Sequence, residues 1–111
     1  MGSYAYLSGE LKSNEPIPLS SAWYATQKAV KRSGFTVTSK EKDAFYAKLI
    51  ARGARDKKVT IKLKKQSDNI TEIKIRVGMM GDEVMSRQIY EEIKKTKKVK
   101  NYLQGKYPGP V

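Results

Sequence analysis

Apolar residues recur at every second position through residues 57–78, KKVTIKLKKQSDNITEIKIRVG, and that alternation predicts two β-strands. Val59, Ile61 and Leu63 share one face, and Ile73, Ile75 and Val77 continue it across a turn at QSDN. The positions between them, Thr60, Lys62 and Lys64, then Glu72, Lys74 and Arg76, turn the other way. Residues 4–13 also alternate and predict a single strand, with Ala5, Leu7, Gly9 and Leu11 on the core side and Tyr4, Tyr6, Ser8, Glu10 and Lys12 opposite. NEPIP ends it. FTVTS after Gly34 predicts a short strand and KEKD a turn. AFYAKLIARGA predicts a further strand with Phe45, Ala47, Leu49 and Ala51 in phase, and GARDK turns the chain again.

Two stretches follow a helical period instead. In LSSAWYATQKAVKRSG the apolar stripe is Ala22, Trp23, Thr26, Ala29 and Val30. Ser20 or Ser21 suits the N-cap, Lys28, Lys31 and Arg32 suit the negative end of the dipole, and Gly34 supplies a left-handed stop. GDEVMSRQIYEEIKK predicts a final helix, with Gly81 or Asp82 near its cap and Met85, Ile89 and Ile93 spaced by four. Lys94 and Lys95 complement its C-terminal end. The predicted order is β-α-β-β-β-β-α: a mostly antiparallel sheet with two helices on its apolar face, and the other face left to water. The fold class is therefore α+β, in one domain spanning residues 4–95. Met1, Gly2 and Ser3 read as start or cloning residues, and residues 96–111 as a lysine-rich, flexible tail.

Composition narrows the chemistry. A chain of 111 residues is long enough for one core and not two. It contains no His and no Cys, which removes the commonest general base, the thiolate nucleophile, the imidazole and thiolate metal ligands and every disulfide. No run approaches the roughly 18 apolar residues of a membrane span. The formal net charge of +12 favours anionic neighbours through a salt-screened field, without choosing among them.

Strand parity gathers the sharpest candidate surface. Tyr4, Tyr6, Lys12, Tyr46, Lys48, Arg52, Lys62, Lys64, Lys74 and Arg76, with Ile50, are expected on the open sheet face. Cations beside flat rings are what single-strand nucleic-acid platforms use. The glycine-and-aromatic signature of an RNA-recognition motif is missing, however, and lysines also discourage edge pairing while solvating a one-sided sheet. Glu72 among those cations favours the second reading.

Catalytic and metal chemistry find little support in the pattern. Glu41, Asp43, Asp56, Asp68, Asp82 and Glu83 are scattered through turns and helix starts, where each has a local explanation as turn former or dipole partner. No catalytic residue, metal ligand or cofactor is expected. Neither a Walker loop nor GxGxxG occurs, and GMMG punctuates strand and helix. The NIT sequon at Asn69 reads as a hairpin turn. KKTKKVK suits either an anionic surface or a solvated tail.

Several ordered segments carry a resemblance: SGELK, LSSAW, GFTVTSKEKDA, the 57–78 hairpin and GDEVMSRQIYEEI. Together they resemble a family of short bacterial domains of unknown function, commonly found behind a lipoprotein-type export signal. The resemblance implies a periplasmic or cell-envelope setting and membrane attachment through a lipid-modified cysteine upstream. This chain has no cysteine, so the anchor is expected to have been removed or never present. The expected function is a non-catalytic accessory or interaction module of the envelope, with an unknown protein or anionic partner and no specific nucleic acid. The alternative is nucleic-acid or anionic-polymer binding through the basic, tyrosine-bearing sheet face.

Overall fold

The computed structural model describes residues 3–101, with side chains through Thr96. Six strands form one antiparallel sheet: β1 (Ala5–Leu7), β2 (Glu10–Glu15), β3 (Thr36–Lys42), β4 (Tyr46–Arg52), β5 (Lys58–Ser67) and β6 (Ile70–Val77), in the spatial order β1-β2-β6-β5-β4-β3. Two helices, α1 (Leu19–Arg32) and α2 (Glu83–Asn101), lie against one face. The α+β class and the predicted order of elements hold, with the first predicted strand divided in two.

That division reverses part of the sequence reading. Ser8 and Gly9 both take positive φ, 54° and 80°, which closes a two-residue hairpin between β1 and β2. Tyr6 therefore pairs with Leu11, while Ala5 and Leu7 pair with Lys12 and Glu10. Paired residues share a face. Tyr4 and Tyr6 consequently sit on the core side, packed against the buried cluster, and Leu7 is 77% exposed. The expected parity survives in β2 alone, because a two-residue turn shifts the phase of everything before it.

The core lies between the sheet and the helices. Leu11, Ala47, Leu49, Ala51, Val59, Ile61, Leu63, Ile73, Ile75 and Val77 form its floor, and all are fully buried. Leu19, Ala22, Ala25, Ala29 and Val30 of α1 and Ile89, Tyr90 and Ile93 of α2 form its roof. Trp23 and Met85 are partly buried at its margin. Phe45, predicted in phase with Ala47, is 67% exposed instead. β3 runs through Lys42, so the turn falls at residues 43–45, where Asp43 Oδ1 accepts the N–H groups of Phe45 and Tyr46 at 2.8 and 2.9 Å. The turn takes Phe45 out of the strand.

Helix ends follow local chemistry, with one exception. Pro18 occupies the α1 N-cap without a side-chain cap bond, so Ser20 and Ser21 lie within the first turn. A proline at this point costs little, since the N–H it lacks would have no helical partner. At the other end Gly34 (φ +89°) and Phe35 donate back to Lys31 and Val30 at 3.0 and 3.1 Å, a Schellman stop. Asp82 caps α2 as expected, its Oδ1 accepting the Met85 N–H at 3.0 Å. That N–H, followed by Lys57 against the opposing effect of burial, holds the Asp82 carboxyl below the usual carboxylate range. The α2 helix continues through residues 96–101, the first part of the predicted tail. Met1, Gly2 and residues 102–111 lie outside the described residues.

Candidate functional site

The open face of the sheet collects most of the predicted basic residues. Register places Lys12 opposite Lys74, Lys74 opposite Lys62, and Lys62 opposite Lys48. Four lysines thus stand in one row across β2, β6, β5 and β4, a line about 14 Å long at the usual strand spacing. Glu41 of β3 ends the row beside Lys48. In the next row Asn14, Glu72, Lys64 and Tyr46 stand side by side, and on the other flank Glu10, Arg76, Thr60 and Ile50 do. Arg52 pairs with Lys58 one step further along. Lys12, Tyr46, Lys48, Arg52, Lys62, Lys64, Lys74 and Arg76 are therefore brought together as predicted, and Tyr4 and Tyr6 are not.

Such a row is electrostatically unfavourable. Ammonium groups held at the strand spacing of about 5 Å would repel by roughly 1 kcal/mol per pair in water before salt screening, and like charges directly opposite weaken a strand pair. One carboxylate offsets two of the four: Glu72 lies 3.5 Å from Lys12 and 4.0 Å from Lys74. Among the described residues, neither Lys62 nor Lys48 has a carboxylate within ion-pair distance. Defence of a sheet edge does not account for the row, because β5 and β6 are the two central strands.

At the end of the sheet where β4 leads into β5, the face opens into a shallow cavity of about 580 Å³ lined by Arg52, Arg55, Lys57, Lys58, Arg76 and Met79, among others. A short 3-10 turn at Ala54–Asp56 is interrupted by Arg55 and Asp56, whose φ of 59° and 58° lie in the left-handed region. Sequence reasoning placed Arg55 and Lys57 in a turn and gave Lys58, at the start of the next strand segment, no role. It read Met79 and Met80 only as punctuation between strand and helix, and they are 91% and 87% exposed. Two adjacent methionines between glycines, in no strand or helix phase, were the available signal.

The interior holds one polar cluster that the inventory of acids did not include. Glu15 is 2% exposed, and its Oε2 accepts the hydroxyls of Tyr90 at 2.6 Å and Ser13 at 2.7 Å. The two hydroxyl oxygens lie 2.9 Å apart. Burial pushes the Tyr90 phenol up to about 12, and the facing Glu15 carboxylate adds to the rise. Because the folded value exceeds the unfolded value near 10, this contribution to stability is complete below pH about 10 and is lost as pH rises toward about 12. Spectroscopic titration should show a late tyrosine phase near pH 12 that belongs to Tyr90. Tyr90→Phe should remove that last phase and flatten the alkaline loss of stability; an unchanged titration would refute the assignment.

Three of the other acids are held in ion pairs. Asp56 pairs with Arg52 at 3.3 Å, Asp68 with Lys65 at 3.3 Å and Asp82 with Lys57 at 3.2 Å. Among the described residues no group of three potential ligand side chains converges on one point. No described helix is long and apolar enough to cross a membrane.

With this geometry in view, the sequence matches the model of DUF3568, a protein of unknown function, over residues 1–96. The chain belongs to the DUF3568 family. The match ends within α2, so it spans the whole sheet, α1 and the lysine row. No curated protein matches the chain.

Proposed function

We propose that this DUF3568 domain is a non-catalytic accessory module of the bacterial cell envelope that engages an anionic partner through the open face of its sheet. The row Lys12, Lys74, Lys62 and Lys48 carries the reading. A self-repelling line of cations on central strands loses its repulsion when an anion lies along it. Recognition is through charge more than through bases. Of the three tyrosines expected on this face only Tyr46 stands there, beside Lys64 at the rim, and a base-stacking platform needs successive rings. The envelope setting is supported by the family resemblance, and fractionation of cells expressing the natural gene tests it directly.

Two variants of equal charge test the face. Lys48→Gln/Lys62→Gln/Lys74→Gln removes three charges from the sheet, and Lys28→Gln/Lys31→Gln/Lys95→Gln removes three from exposed helical positions. At roughly physiological salt, the first should weaken binding to heparin by tenfold or more, in line with the counterions each contact releases. The second should weaken it by much less. Equal losses would mean that net charge alone attracts the polymer and that the face has no special role. A single-stranded oligonucleotide that binds far more tightly than heparin, with about 1–3 kcal/mol lost in Tyr46→Ala, would favour the nucleic-acid reading.

A further inference from the structure

The most exposed apolar side chains in the described residues gather at one corner of the basic face. Leu7 lies on the open side of the β1–β2 hairpin, in line with Glu10 and Arg76. Arg76 Nη2 donates to Ser8 O at 2.8 Å, which ties the hairpin turn to β6. Met79 follows β6 and lines the basic cavity with Arg52, Arg55, Lys58 and Arg76. Met80 lies against the same turn, since a Cβ placed on Gly9 would come 2.9 Å from Met80 O.

The loop that carries the methionines is held in place. Gly78 and Gly81 flank it with φ of 76° and 89°, conformations that other residues seldom adopt. Gly81 sits directly on Gly9: a Cβ there would lie 2.4 Å from Gly9 Cα. The backbone is thus pinned to the hairpin while both methionine side chains are left in solvent. Isolated surface hydrophobes are ordinary, but three beside a dense group of cations form an amphipathic corner.

We propose that this corner docks the domain onto an anionic phospholipid bilayer. Leu7, Met79 and Met80 enter the interfacial zone, and Arg55, Lys58 and Arg76 meet lipid phosphates. The proposal rests on the anion-binding reading of the open face and names its partner. Charge complementarity selects the bilayer. A second copy of the chain would bring the same cations against one another, which costs energy on both sides. The apolar side chains protrude and the adjoining hollow is basic, so a folded protein would have to supply a shaped apolar pocket within an acidic surface. A fluid anionic interface offers both without fixed shape, and long, unbranched Met side chains adapt to it.

Vesicles of phosphatidylglycerol with phosphatidylcholine, vesicles of phosphatidylcholine alone, and heparin separate the outcomes. Sedimentation should recover the parent with the anionic vesicles and not with the neutral ones. Met79→Ser/Met80→Ser changes only exposed side chains, and should lower the ratio of vesicle to heparin affinity by about tenfold or more. An unaltered ratio, with Lys48→Gln/Lys62→Gln/Lys74→Gln still weakening both ligands, would overturn the docking corner and leave the anion-binding face standing. If the lysine variant leaves both affinities as they were, the anion-binding reading falls as well. A parent that sediments as a dimer, and as a monomer once the methionines are replaced, would show that the corner pairs with itself and overturn the proposal.

Discussion

Replacing Ile75 with alanine should cost the fold about 2–5 kcal/mol, the range for large-to-small changes in a packed core. Ile75 is at the centre of the sheet on its inner face. It is fully buried, with Leu11 on one side and Ile61 on the other. Both neighbours belong to paired strands and cannot collapse into the gap without disturbing their own ladders, so the cavity would persist. In a urea titration the midpoint should fall while the slope stays constant, since the surface exposed on unfolding barely changes. A loss below about 0.5 kcal/mol would contradict the inward placement of this strand face, because changes of that size are typical of surface sites.

The second large effect is expected at Gly81, and Gly34 provides its control. Both residues have φ of +89°, so alanine at either position meets the same left-handed penalty, roughly 1–2 kcal/mol. Their surroundings differ. A Cβ on Gly34 meets nothing within 4 Å, whereas one on Gly81 would lie 2.4 Å from Gly9 Cα and 2.7 Å from both Gly9 O and the Tyr6 hydroxyl. Two of those three atoms are backbone, so relief requires the β1–β2 hairpin to move away from the loop. Gly81→Ala should therefore cost about 2–4 kcal/mol, well above Gly34→Ala, as strain and overpacking act together. Faster amide exchange in β1 and the start of β2 should accompany it. Equal costs for the two substitutions would show that the close approach of Gly81 to Gly9 does not hold the corner together.

Most of the fold was legible because its signals are local. The period-two pattern of residues 57–78 fixed which side of β5 and β6 is buried, and Ile61, Leu63, Ile73, Ile75 and Val77 are all fully buried. Gly34 as a helix stop and Asp82 as a helix cap follow from the chemistry of free backbone groups, and both perform those roles. The misplaced strand residues share one cause. A single turn residue shifts the phase of a strand, and SG at residues 8–9 was read as part of an alternation when it closes a hairpin. Tyr4, Tyr6 and Leu7 all changed sides as a result. Phe45 was misplaced in the same way, because Asp43 ties the turn two residues later than the KEKD pattern suggested.

The candidate site was legible only as a list of residues. Parity alone predicted that Lys12, Lys48, Lys62 and Lys74 face the same way. Their alignment in one row depends on register between strands far apart in sequence, and register is set by turn lengths and by how the inner faces interlock. Strand order matters as much: by placing β6 and β5 at the centre of the sheet, it removes edge protection as the reason for their lysines. Glu15 was hidden for a related reason. It follows Asn14 and precedes Pro16 in a polar stretch that looks like a loop, and only the packing of α2 over β2 brings Tyr90 to its carboxylate.

The sequence by itself determined the class of structure, the inner faces of the long strands, the stripes of both helices and an excess of positive charge, because each depends on neighbours within about one turn or one strand. The tertiary structure decided which strands are central, which cations stand side by side, and where Leu7, Met79 and Met80 meet. Those relations join residues as distant as Lys12 and Lys74 or Gly9 and Gly81. Contacts of that kind arise only when separate segments compete for one core, and no local period records the outcome.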